Sequence, residues 1–198
     1  MAVPVFLLIL AFWLATAMPA EDRPRQSTTA ASRAETAPPI VIQSFKGEIS
    51  RTCSAKADLR LSVGRDPAVA DQAVLIVEYP ILARDPAARD VQCTAENRNW
   101  SAGRAIAFQI KPDHAMTFSL SFFDGNRVAY TAWRELKGGV WQRIRVPFDE
   151  IQPNPYFQRA DAKTGAPIDV RDVSGIAFAP QDQSSGRFTI GSLVVVSN

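Results

Sequence analysis

Apolar and polar residues alternate with a period of two through the middle of the chain. From Met116 to Asp124, the residues Met116, Phe118, Leu120 and Phe122 fall on one face, and Thr117, Ser119 and Ser121 on the other. Successive side chains of a strand point to opposite sides, so this is the pattern of a strand buried on one face. Ala105 to Lys111 repeats it, with Ile106, Phe108 and Ile110 against Ala105, Ala107 and Gln109. Lys111-Pro112-Asp113-His114 interrupts the alternation with turn-forming residues. Asp124-Gly125-Asn126 predicts a hairpin turn before a third strand, Val128–Trp133. Gly138-Gly139 permits another reversal before a fourth strand, Trp141–Phe148. There Ile144, Val146 and Phe148 share one face, and Arg143 and Arg145 share the other with Trp141. Read together, the four form an antiparallel sheet with one apolar face and one face of Ser, Thr, Arg and aromatic residues.

Further short apolar runs at Ile40–Phe45, Ala73–Tyr79, Val91–Glu96, Val173–Ala179 and Arg187–Val196 extend the pattern. They bring the total to about eight or nine closely spaced strands, the signature of an all-β sandwich or jelly roll. Ile151 to Pro167, rich in proline and polar residues, fits neither period and reads as a long surface loop, a common location for function.

The ends differ from the middle. Met1–Ala20 is apolar and uncharged and reads as an export signal with small residues for cleavage, or, if uncleaved, as an N-terminal membrane anchor. Glu21–Pro39 is dominated by Ala, Thr, Ser, Arg and Pro and cannot bury enough surface to order itself, so it reads as a disordered linker. The predicted domain is residues 40–198. The localisation that follows is secreted or periplasmic. In such a compartment the two cysteines, Cys53 and Cys93, are expected to pair as a disulfide.

Composition narrows the function. The hydrophobic fraction of 46% supplies a sizeable core, and a formal net charge of +2 without a basic run argues against nucleic acid as partner. His114 is the only histidine, with no Cys or acidic partner at ligand spacing, so no zinc site is expected. No nucleophile-elbow motif accompanies it, and catalysis through His114 is not expected. Asp149, Glu150, Asp161, Asp169 and Asp172 leave a carboxylate-pair hydrolase as a weak alternative. Asn99-Trp100-Ser101 forms a glycosylation sequon.

Three segments carry a resemblance: WQRIRVPFDEI (141–151), PIDVRDVSGIAFAP (167–180) and GRFTIGSL (186–193). Their order is similar to that in galactose-binding-like jelly rolls, in particular the family-eleven carbohydrate-binding modules and the complex I intermediate-associated protein domain. The resemblance spans residues 40–198. It implies two antiparallel sheets, a concave face that can hold a glycan, and a structural calcium near the first and last strands. Gly191 stands where those families usually carry Asp, and no acidic cluster in the sequence matches the calcium.

Sugar recognition uses aromatic faces for stacking and planar polar groups for paired hydrogen bonds. The candidates are Tyr130, Trp133, Arg143, Arg145, Ser119, Ser121, Tyr156 and Phe157. Six of them have a plainer alternative: a solvated sheet face for the arginines, core packing for Tyr130 and Trp133, and a cover for the end of the core for Tyr156 and Phe157. Trp100 and Trp141 read as framework. The leading expectation is a non-catalytic carbohydrate-binding module without cofactors. The alternative is an assembly or structural factor that binds a protein partner with the same sheet.

Overall fold

A computed structural model describes residues 38–55, 58–69, 72–81 and 90–197. The expected signal or anchor (1–20), and the linker up to residue 37, lie outside the described residues. Thirteen strands are present among the described residues. The first five are β1 (Ile40–Gln43), β2 (Cys53–Ala55), β3 (Arg60–Arg65), β4 (Ala73–Tyr79) and β5 (Val91–Thr94). The middle of the chain forms β6 (Ala105–Pro112), β7 (Met116–Asp124), β8 (Ala129–Leu136), β9 (Gln142–Pro147) and β10 (Gln152–Pro153). The last three are β11 (Val173–Pro180), β12 (Gly186–Ile190) and β13 (Leu193–Val196).

These build a jelly-roll β-sandwich of two antiparallel sheets. The seven-stranded sheet has the order β1-β13-β6-β12-β4-β3, with β9 on the other edge of β6. The six-stranded sheet has the order β10-β8-β7-β11-β5-β2. β12 and β13 pair with successive halves of one edge of β6, Phe188 opposite Pro112 and Val194 opposite Ala107. Gly191 sits in the break between them, its N–H donating to the Gln109 carbonyl at 2.8 Å.

The period of two has the expected consequence. Phe118, Leu120, Phe122, Ile176 and Phe178 line the inside of one sheet, and Ile106, Ile110, Leu75, Val77, Phe188 and Ile190 the inside of the other; all are fully buried. Phe118 and Phe188 meet edge to face across the layers, ring centroids 5.1 Å apart. Each such side chain contributes about 1.5–3 kcal/mol by leaving water. Trp100 is fully buried against Phe122, and its indole N–H donates to the Asn97 carbonyl, as its framework role requires.

One expectation fails. The four central strands do not form one sheet. β6 and β9 pair in the seven-stranded sheet, whereas β7 and β8 pair in the six-stranded one. Alternation defines which face of a strand is buried but not which layer it joins. The turn at residues 113–115 carries the chain from one layer to the other, and residues 137–141 carry it back. These two crossings pack on each other, with the Gly139 N–H donating to the Pro112 carbonyl at 2.7 Å. A Cβ on Gly138 would lie 2.5 Å from the His114 Cα, and Gly139 has a φ of +74°, so the glycine pair serves a crossing.

Cys53 and Cys93 form the expected disulfide. They lie directly opposite each other on β2 and β5, so the bond fastens a three-residue edge strand to its sheet.

Candidate ligand-binding groove

The outer face of the six-stranded sheet is hollow, because its central residues are small. Ser119 and Ser121 of β7 lie opposite Ala179 and Ala177 of β11, so the middle of the sheet carries almost no side-chain height. Larger groups rise on one side. Trp133 projects from β8 opposite Ser119, and the loop after β10 brings Tyr156 and Phe157 beside it. The resulting groove has a volume of about 960 Å³.

The aromatic wall is held by polar side chains. Asn154 accepts hydrogen bonds from the backbone N–H groups of Tyr156 and Phe157 through Oδ1, at 2.8 and 3.1 Å. Gln158 acts as a substitute strand. Its Oε1 accepts from the Ala129 N–H, and its Nε2 donates to the carbonyls of Ala129 and Asn154. Trp133 and Tyr156 meet at right angles with centroids 6.4 Å apart. Tyr156 is 84% exposed and Phe157 58%, values far above those of core aromatics.

The floor is uncharged and rich in hydrogen-bonding groups. Gln181 donates to Ser119 Oγ at 2.9 Å, and Ser119 in turn donates to the Ala179 carbonyl. Asp90, Asp124, Arg127 and Arg159 bring charge to the lining, and the two arginines share one carboxylate. Asp161 accepts from both Arg127 and Arg159, and these guanidinium groups, Arg127 first, hold its carboxyl below the usual carboxylate range. Asp124 is buried and spends its oxygens on the N–H groups of Asn126, Val128 and Asp169.

Five of the eight sequence candidates, Ser119, Ser121, Trp133, Tyr156 and Phe157, come together in this groove. The other three do not. Tyr130 is fully buried on the inner face of β8, its hydroxyl donating to the Ala166 carbonyl at 3.0 Å. Burial, and secondarily the Asp124 charge, pushes its pKa up to about 12. Tyr130 and Trp133 are three positions apart on one strand, and the pleat puts them on opposite faces. Arg143 and Arg145 are exposed on β9, opposite Gln109 and Ala107, on the outer face of the seven-stranded sheet. The core separates them from the groove. Gln92, Thr131, Asn154, Arg127, Arg159 and Gln181 line the groove without having been singled out from the sequence. Asn154-Pro155 next to two aromatics was the available signal for the wall.

The resemblance implies a calcium near the first and last strands, and the acidic residue there is already engaged. Beside the first and last strands, Glu96 is engaged by the Ser44 N–H and hydroxyl at 2.8 and 2.7 Å, and Ser192 donates to the Ser44 carbonyl. Among the described residues no group of three or more His, Cys, Asp or Glu is arranged to hold a metal ion.

His114 lies between carboxylates. Its Nδ1 meets Asp113 at 2.7 Å and its Nε2 meets Asp182 at 2.8 Å, with Ser184 Oγ also 2.8 Å from Nε2. The contacts include a serine, a histidine and an aspartate. However, the Asp182 hydrogen bond, followed by that to Asp113, raises the pKa of the imidazole. The Ser184 hydroxyl donates to Asp182 Oδ1 at 3.0 Å, so its proton is directed away from the ring and the arrangement is a clasp between two loops.

No family model matches the sequence, and no characterised protein matches it in sequence. Similarity appears in solved structures. The family 11 carbohydrate-binding module of a cellulosomal cellulase from Clostridium thermocellum superposes with a TM-score of 0.61 at 15% identity, over 81% of this chain and 95% of that one. The solution structure of CtCBM11 gives 0.65 at 14% identity, over 83% and 98% of the two chains. An exo-β-agarase also matches, with a TM-score of 0.61 at 13% identity, but over only 25% of its own chain. The shared feature is the jelly-roll fold.

Proposed function

We propose that this protein is an exported, non-catalytic carbohydrate-binding module that holds a glycan in the groove of the six-stranded sheet. The observation that carries this reading is the exposed aromatic corner of Trp133 and Tyr156 beside a floor of hydroxyl and amide groups. Pyranose rings present C–H faces that stack on aromatic rings and hydroxyl edges that take up such polar groups. The neighbours of the same fold support it, since one is a family 11 module in complex with a β-1,3-1,4-mixed-linked tetrasaccharide.

Binding would proceed without chemistry on the ligand. Asp161 and Asp169 sit below the ordinary carboxylate range because of Arg127 and Arg171 respectively, the opposite of what a general acid requires. Export is supported by the Cys53–Cys93 disulfide, which persists in oxidising compartments, and by the apolar run at Met1–Ala20. On this reading Met1–Ala20 is the export signal, Glu21–Pro39 the tether and 40–198 the binding domain.

A protein-binding role would call for a broad apolar patch. The exposed aromatics here instead border a floor in which hydroxyl and amide groups stand beside alanines. Affinity electrophoresis through gels containing mixed-linkage β-glucan, cellulose derivative, xylan or agarose tests the proposal. Retardation in one gel class, relieved by the free oligosaccharide, is expected. Unretarded migration in all of them would contradict it.

A further inference from the structure

The groove continues on the side away from the aromatic wall, toward β5 and β2. A smaller cavity of about 280 Å³ adjoins it and shares Gln92, Phe123 and Ser174 with it; its outer side is formed by Arg51, Ser54 and Thr94. The strand register joins the two. Ser54 lies opposite Gln92, Gln92 opposite Ala177, Ala177 opposite Ser121, Ser121 opposite Thr131, and Thr131 opposite Gln152. This single row crosses every strand of the sheet at right angles and ends in hydrogen-bonding side chains on both edges. With adjacent strands about 4.8 Å apart it spans about 24 Å, enough for a run of several sugar rings.

We infer that the ligand is a linear glycan laid across the strands, and that the disulfide-held edge strand β2 supplies its far subsite through Ser54, with Thr94 of β5 beside it. This rests on the carbohydrate reading above and specifies the shape of the ligand. Among the described residues β2 has three residues and pairs with β5 alone, so hydrogen bonding gives it little hold. The Cys53–Cys93 bond lies on the buried side of these two strands and fixes them directly opposite each other, leaving Ser54, Gln92 and Thr94 exposed on the groove side. The disulfide therefore sets the length of the site as well as stabilising the fold.

The test is titration calorimetry of the full chain with a length ladder made by partial hydrolysis of whichever polysaccharide retards it. The wild-type protein is expected to gain about tenfold in affinity or more as the oligosaccharide grows from two rings toward the full row. Ser54→Ala combined with Thr94→Val is expected to remove the gain for the longest members while leaving the shortest unaffected. Both residues are exposed, so this variant keeps the fold. Cys53→Ser with Cys93→Ser is expected to reproduce that loss, provided circular dichroism shows a folded domain. Affinity independent of length, or a Ser54/Thr94 variant that weakens short and long members equally, would overturn the inference and leave the carbohydrate reading standing. If no polysaccharide binds, both readings fall together.

Discussion

Single side chains decide the chemistry of the groove, and two of them can be tested without knowing the ligand in detail. Trp133 and Tyr156 are exposed and contribute little to the core. Truncation of either to Ala should weaken glycan binding by about 3–10-fold, the range that one aromatic contact of about 0.5–1.5 kcal/mol provides. The unfolding midpoint should stay near wild type. His114 makes a prediction of the other kind. Its pKa is raised in the folded protein by Asp182 and Asp113. The stabilisation is therefore fully present below the unfolded value of 6.5 and is lost as pH rises through the higher folded-state pKa. Urea unfolding of the wild type should show greater stability at mildly acidic than at mildly alkaline pH. His114→Gln should flatten that difference; a variant that retains it would disprove the clasp. At this scale the sequence was informative where pleat arithmetic applies. Ser119 and Ser121 were correctly placed on a common polar face of β7. The same arithmetic, carried to Tyr130 and Trp133, separates them, because an odd spacing on one strand cannot share a face.

Secondary elements turn these residues into a site. The wall of the groove is irregular backbone, and its order derives from Asn154 and Gln158. Gln158→Ala removes three hydrogen bonds to the backbone of residues 129 and 154. It should raise proteolytic cleavage and hydrogen exchange between residues 154 and 160 while leaving protection of β7 and β11 unchanged. Equal exchange in both proteins would show that the wall is held by other means. The disulfide works on the opposite edge. Its cysteines are 40 residues apart, which the chain-entropy model equates with about 4 kcal/mol. Reduction should lower the denaturant midpoint accordingly, measured by urea unfolding with and without reductant. The continuous apolar run of β4 at Ala73–Tyr79 and the strong alternation of β7 at Met116–Asp124 stand where the pattern put them. β2 and β3 did not announce themselves. Both are edge strands, and β3 runs from Arg60 to Arg65 with charged ends and a half-exposed interior, so it lacks the apolar run that marks a buried strand.

On the scale of the whole molecule, the jelly roll separates two faces that the sequence pattern had merged. Consecutive strands read as one sheet when only their alternation is known. The crossings at residues 113–115 and 137–141 depend on long-range contacts, among them Gly138 against His114 and the Asp113 N–H donating to the Arg187 carbonyl. Periodicity carries no record of such contacts. Hence Arg143 and Arg145, expected beside Ser119 and Ser121, occupy the far side of the sandwich, while the aromatic and hydroxyl groups stay together. Fold similarity at 13–15% identity to modules and to part of an agarase agrees with the architecture and leaves the ligand to the groove itself. The most direct test compares two double variants in affinity electrophoresis against the polysaccharide that retards the wild-type protein. Trp133→Ala with Tyr156→Ala should abolish retardation, and Arg143→Ala with Arg145→Ala should leave it unchanged. Retardation lost in the arginine variant and kept in the aromatic one would place the binding face on the other sheet and contradict the account.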